Sequence, residues 1–235
     1  MSLSKEEQLF DMRDSEYEIM LQKGLDATGE NRDYYIKGRL VNLQKKLPKD
    51  FTPKKILDFG CGTGHTSKFL KKCFPKATIY GSEISIGSLQ YARMHHQLEG
   101  VNYIHIDKLD ELSGEFDLCY TNGVFHHIPP DQRTKALSSI YNSMKLGGYF
   151  CFFENNPFNP GTRYVMNKVP FDKDAVTIKY KEGIKMLETS GFKALNTDFL
   201  FYFPKSLGFL RFIESSLEKL PLGGQYHIFT QKVKK

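Results

Sequence analysis

Apolar and polar positions change period several times along this chain of 235 residues, and the changes mark its elements. Ser4, Lys5, Glu6 and Glu7 have the make-up of a helix start, with an N-cap and acids in the first turn. Ile36, Leu40, Leu43 and Leu47 recur at three- and four-residue steps, which predicts a helix from Asp33 that Pro48 ends. Short apolar runs follow: Ile56-Leu57, Thr78 to Glu83, Val101 to Ile106, Phe116 to Thr121 and Tyr149 to Phe153 read as strands. Between them, His65 to Cys73, Ser85 to about Leu98 and Asp131 to Met144 read as helices, with Lys145 to Gly148 as the stop of the last. Strands alternating with helices imply a doubly wound, mostly parallel sheet. Tyr149 to Phe153 is the most apolar run and is expected to be its central strand. Tyr180 to Ser190 reads as a helix stopped by Gly191, Leu195 to Phe203 as a strand, Ser206 to Leu220 as a helix and Gln225 to Val233 as a last strand.

Composition narrows the class. A hydrophobic content of 40% and a charged content of 26% are ordinary for a globular chain. The formal net charge is +6, but the lysines fall in scattered pairs such as Lys45-Lys46 and Lys71-Lys72, more like solvated helix ends than a binding stripe. Four cysteines form no C-x-x-C pair, and no histidine–cysteine cluster has zinc spacing, so no metal is expected and a reducing, cytoplasmic setting is. The charged start lacks the apolar core of a signal peptide, and no apolar run is long enough to span a bilayer.

The chemistry concentrates at strand ends. Asp58, Glu83, Asp107 and Asn122 each close a strand, and parallel strands bring such residues to one edge of the sheet. After Asp58 the chain reads Gly60, Cys61, Gly62, Thr63, Gly64 and then a helix. Glycines let a backbone approach a ligand closely. The spacing is G-x-G-x-G, not G-x-G-x-x-G, and the acid before it would repel a phosphate but suit a cationic group. Glu83 follows at the interval of one β-α-β unit, where a carboxylate can hold ribose hydroxyls.

The string Asp58-Phe59-Gly60-Cys61-Gly62-Thr63-Gly64 closely resembles the first motif of class I S-adenosylmethionine-dependent methyltransferases of the small-molecule type. The resemblance is specific from Lys54 to Phe153, and from Tyr180 to Lys232 it rests on layout. It implies a Rossmann-like seven-stranded sheet with an antiparallel final strand, an N-terminal helical lid over 1–48, a methyltransferase domain over 49–235 and a cap helix inserted at 206–220, before the last strand. It implies S-adenosylmethionine as cofactor, held by Asp58, Gly60, Cys61, Gly62, Gly64, Glu83 and the neighbouring Ile84. Asp107 and Lys108 would face the adenine, and Asn122, Gly123 and Phe125 would line the cleft beside the methyl group. His126 or His127 would serve as a base where the acceptor carries a proton. Tyr34, Tyr35, Lys37 and Arg39 lie in the lid region, with Tyr35 facing the acceptor and Lys37 or Arg39 available to a carboxylate.

The acceptor side is read from Glu154 to Arg163. Asn155-Asn156-Pro157-Phe158 has proline-turn chemistry, and Glu154, Asn155 and Arg163 are placed to hydrogen-bond a polar acceptor. Phe209 and Phe212 widen an apolar stripe, which fits a cap over a small or lipid-linked acceptor or shallow peripheral contact with a bilayer. The expected activity is methyl transfer to such an acceptor. An RNA or DNA methyltransferase, or a binding protein that keeps the cofactor fold without catalysis, are the alternatives.

Overall fold

Alternating side chains in the first strand show how the layers are built. The computed structural model describes residues 20, 22–169, 172 and 175–234. In β1 (Lys55–Phe59), Ile56 joins a core on one face of the sheet and Leu57 a core on the other. Both are fully buried, as a strand with helices on each side requires. The first core takes Ile36, Leu40 and Leu43 from α1 (Arg32–Lys46), with Leu70 from α2 (His65–Cys73) and Leu89 from α3 (Ile86–His95). The second takes Leu137 and Ile140 from α4 (Arg133–Ser143) and Leu187 from α6 (Tyr180–Thr189), with α5 (Pro160–Lys168) lying between these two in sequence. Each fully buried Leu, Ile or Phe side chain contributes about 1.5–3 kcal/mol.

The seven strands run in the order β3-β2-β1-β4-β5-β7-β6, with β2 Thr78–Glu83, β3 Val101–His105, β4 Phe116–Asn122, β5 Met144–Asn155, β6 Phe192–Leu200 and β7 Gln225–Lys232. The strands β1 to β5 pair in parallel, and β7 is antiparallel to both β5 and β6. The chain moves outward from β1 through β2 to β3 and then returns to place β4 on the other side of β1. That reversal opens a crevice at the carboxyl ends of β1 and β4.

Several boundaries differ from the sequence reading. The centre of the sheet is β4, with the most apolar strand, β5, beside it. Met144 to Gly148 begin β5 instead of stopping a helix, because Met144 already pairs with Phe116. Glu154 and Asn155 end that same strand and do not belong to a loop. The stretch expected as a helix over 206–220 is a 3-10 segment, Lys205–Ile213, with a non-helical break at Leu207, followed by the short α7 (Glu214–Leu217). The helix start at Ser4 to Glu7 lies outside the described residues. Helix α1 packs into the same core as β1, so residues 32–46 are continuous with the sheet layer. Asn31 caps α1 and Ser85 caps α3, each side chain accepting a backbone N–H of the first turn.

Candidate functional site

The turn after β1 is built from residues that need left-handed backbone: Gly60, Gly62 and Gly64 have φ of 70, 52 and 80°. A β-carbon at Gly60 would lie 2.4 Å from Val124 Cγ2, and one at Gly64 would lie 2.6 Å from the Tyr103 hydroxyl. Among the described residues nothing lies within 4 Å of the position at Gly62, so there the bare backbone is open. Glu83, at the end of β2, reaches back to this turn. Its carboxylate accepts the Gly62 N–H at 2.9 Å, the Ile84 N–H at 2.8 Å and the Ser85 N–H at 3.1 Å. A carboxylate has roughly four acceptor positions, so about one remains for a ligand hydroxyl.

These groups border a cavity of about 860 Å³ at the carboxyl edge of the sheet. Gly60, Cys61, Gly62, Glu83 and Ile84 form one wall, with Asp107 at its margin. Asn122, Gly123, His126 and His127 form the opposite wall. Tyr35, Arg39 and Asn155 line it further out, together with Phe201. Arg39 is nearly buried and donates to the Tyr120 hydroxyl at 2.9 Å and to Gln225 Oε1 at 3.0 Å. Phe201 has φ of 64°, a strained value for a residue with a side chain, and its ring packs against Tyr35 with centroids 4.9 Å apart.

Other residues singled out from the sequence stand behind or beside the walls. Asp58 is buried beneath the glycine turn, where it accepts the Ser67 hydroxyl at 2.6 Å and braces the start of α2. Burial raises its carboxyl to about 7, opposed by that hydrogen bond and by the charge of Arg32. Gly64 packs under the turn, and Phe125 is fully buried against Phe59 and Phe152. Lys108 is exposed and pairs with Glu111 at 2.7 Å. Arg163 is exposed on α5, away from the cavity wall, and Lys37 lies over the Phe69 ring.

Glu154 does not face an acceptor. It is 1% exposed, and both its oxygens are committed: one accepts the Phe125 N–H at 2.8 Å and the other the His126 Nδ1–H at 2.5 Å. On the far side of His126, Nε2 lies 3.6 Å from Asp172 Oδ1, and His127 Nε2 lies 3.3 Å from the same oxygen. Burial opposes the charge on His126, but Glu154 and Asp172 overcome it and raise its pKa to about 10. Burial lowers the pKa of His127, with Asp172 in partial opposition. Burial alone would raise Asp172; the two histidines outweigh it and hold its carboxyl below the usual value.

Sequence reading missed Asp172 and Arg32, both in the cavity wall. Asp172 lies 45 residues beyond His127, with no local pattern to join them. Arg32 stands at the first turn of α1, where a basic residue reads as surface charge, yet its Nη1 reaches Thr63 Oγ1 of the glycine turn at 3.5 Å. Asn156 and Asn159 prove to be turn residues. Asn156 Nδ2 donates to the carbonyls of Pro221 and Gly223, and Asn159 caps α5 just before Pro160.

The walls fit a nucleoside joined to an amino acid. The turn offers bare backbone at Gly62, Glu83 retains an acceptor position, and the side-chain oxygen of Asn122 is buried without a hydrogen-bond partner among the described residues. A family model described as a methyltransferase domain matches residues 56–148. A trans-aconitate 2-methyltransferase of Deinococcus radiodurans is 34% identical over 93 residues, covering 40% of this chain and 34% of that protein. A malonyl-acyl-carrier-protein O-methyltransferase of Acetivibrio thermocellus is 29% identical over 143 residues, covering 57% of this chain and 48% of that protein. The chain thus spans less than half the length of these curated relatives. Among solved structures, an S-adenosylmethionine-dependent methyltransferase from Thermotoga maritima superposes with a TM-score of 0.67 at 19% identity, covering 97% of this chain and 99% of that one. Another, from Archaeoglobus fulgidus, gives 0.65 at 20% identity over 86% and 95%. At such identities the structures speak for the fold. Residues 56–148 match a methyltransferase domain, and with its glycine turn and strand order the chain has the Rossmann-like fold of S-adenosylmethionine-dependent methyltransferases.

Proposed function

We propose that the protein transfers a methyl group from S-adenosylmethionine to a small or carrier-linked acceptor that enters between Tyr35, Phe201 and the histidine wall. The reading is carried by one observation: Glu83 grips the Gly62 N–H while facing the cavity with an acceptor position to spare. S-adenosylmethionine, when bound, supplies a methyl already activated by a sulfonium. The chain's own residues need only bind and align, and positioning can account for much of such a rate. Glu83 would hold the ribose, the bare backbone at Gly62 would admit the amino-acid end, and Asn122 would use its unpaired oxygen. Arg39 makes no ion pair among the described residues and offers a guanidinium to a carboxylate.

Acids are the acceptor class to test first, since the two curated relatives are named for trans-aconitate and for malonyl-acyl-carrier protein. The test is release of S-adenosylhomocysteine while free and carrier-linked carboxylic acids are offered in turn, with hydroxyl and amine acceptors beside them. Methyl transfer to one class above the acceptor-free rate supports the reading. Cofactor binding without turnover on any class leaves a non-catalytic binding protein and removes it.

A further inference from the structure

A buried histidine, a half-buried one and a half-buried carboxylate in the cavity wall are spaced for a cation. The imidazole nitrogens and carboxylate oxygen of His126, His127 and Asp172 all lie within 4.8 Å of one another. Their closer separations, 3.6 and 3.3 Å to Asp172 Oδ1, are longer than the optimum for a hydrogen bond of about 2.9 Å. They match the edge of a coordination tetrahedron. Bonds of about 2.0–2.1 Å to a zinc-like ion place neighbouring ligand atoms about 3.3 Å apart. His126 is 3% and His127 is 16% exposed, and Asp172 is nearly buried, so the cluster is not a solvated surface group.

The surroundings of His126 add an independent argument. Its Nδ1–H donates to Glu154, whose second oxygen is fixed by the Phe125 N–H. This carboxylate–imidazole relay fixes the ring and directs Nε2 toward Asp172, as outer carboxylates do for metal-bound histidines. All three inner groups face the cavity, and a β-carbon at Gly123 would lie 3.4 Å from His126 Cε1. Open coordination positions would therefore point into the cleft.

We propose that His126, His127 and Asp172 form a three-ligand site for a divalent first-row transition ion, with Glu154 as its positioning residue and an open position toward the acceptor. Two imidazoles and one carboxylate suit zinc or ferrous iron better than magnesium or calcium. The ion would take the place of the proton on His126 Nε2. Its role toward the acceptor rests on the methyltransferase reading; its binding does not.

The test uses the full chain after dialysis against a chelator. Zn²⁺ is titrated in competition with a chromophoric chelator, and Co²⁺ is added as a spectroscopic probe. One equivalent per chain is expected, with intense visible Co²⁺ bands of a four- or five-coordinate site. His127→Ala and Asp172→Asn should each weaken Zn²⁺ at least about 100-fold, and Glu154→Gln about 10–100-fold, the range for outer partners of metal ligands. The exposed His95→Ala should leave the affinity unchanged. X-ray absorption of the Zn²⁺-loaded wild type needs no variant, and should show two imidazoles in the shell. A shell of oxygens alone, substoichiometric uptake, or affinity unchanged in both His127→Ala and Asp172→Asn would mean an adventitious ion only and would overturn the site. Calorimetry with S-adenosylhomocysteine on the chelator-treated protein keeps the readings apart. Heat without metal uptake defeats this proposal alone, and metal uptake without heat defeats the function proposed above alone.

Discussion

The two walls of the cleft are made in different ways. The wall at β1 and β2 is backbone: three left-handed glycines and a row of N–H groups gathered by Glu83, all within residues 58–85. The wall at β4 and β5 is side chain: two histidines locked by carboxylates that come from residues 154 and 172. The first can be recognised in a short string because turn geometry dictates residue type. The second depends on long-range packing, and its groups are individually ordinary.

This contrast sets the order of expected effects. Glu154→Ala should be the most damaging substitution, since it strands a buried imidazolium and leaves the Phe125 N–H unpaired. A loss of about 3–5 kcal/mol is expected in urea unfolding. Gly64→Ala should follow at about 2–4 kcal/mol, combining left-handed strain with a clash against Tyr103 and Ala92. If Gly64→Ala proved the worse of the two, the histidine wall would not be the costlier one to disturb.

Acid titration sharpens the comparison through another buried histidine, outside the cleft. His227 stacks on Phe153 at 4.0 Å, and burial depresses its pKa to about 3 despite Asp198 nearby. Folded protein keeps it neutral while the unfolded chain takes up a proton below 6.5. Its stabilising effect is therefore full above pH 6.5 and is lost as pH falls toward about 3, at up to about 1.4 kcal/mol per pH unit. Asp198, whose pKa is lowered by Lys219 and Lys46 against burial, adds a loss of the same sign only below its ordinary 3.8. Asp58, raised by burial to about 7, acts with the opposite sign over the same range, since its neutral form is favoured in the folded chain and its effect is lost as pH rises. The two offset each other in the parent, so His227→Asn should make urea midpoints rise more steeply, relative to the parent, as pH falls from 7 to 4; a slope unchanged by the substitution would show that His227 does not contribute.

Gly62→Ala is the mildest of the wall substitutions for the fold. With nothing among the described residues within 4 Å of its β-carbon position, it should cost only the left-handed strain of about 1–2 kcal/mol while weakening cofactor binding. Smallest of all, Phe209→Ser and Phe212→Ser should shift stability by less than about 0.5 kcal/mol, because these rings are 71% and 79% exposed. A larger loss would mean that they pack against something in solution.

Legibility from sequence followed the same division. The parallel sheet and the glycine turn were readable because strand period, Gly62 and Glu83 are local signals, whereas the reversed last strand was implied only by the family resemblance. Glu154 was misread as facing an acceptor, because an acid beside Asn155 gives no sign that the strand continues and buries it. The stretch 206–220 was read as one helix, since an apolar stripe does not distinguish 3-10 from α geometry or reveal the break at Leu207. Asp172 was invisible because only the fold joins it to His127.

The central claim is that the glycine turn and Glu83 together hold the adenosyl cofactor. Titration calorimetry of the chain with S-adenosylhomocysteine tests it most directly, with Glu83→Ala in parallel. The account predicts saturable 1:1 heat for the wild type and an affinity about 10–150-fold weaker in the variant, the worth of a hydrogen bond to a charged group. Well-folded wild type that gives no heat, or a variant that binds as tightly as the parent, would contradict it.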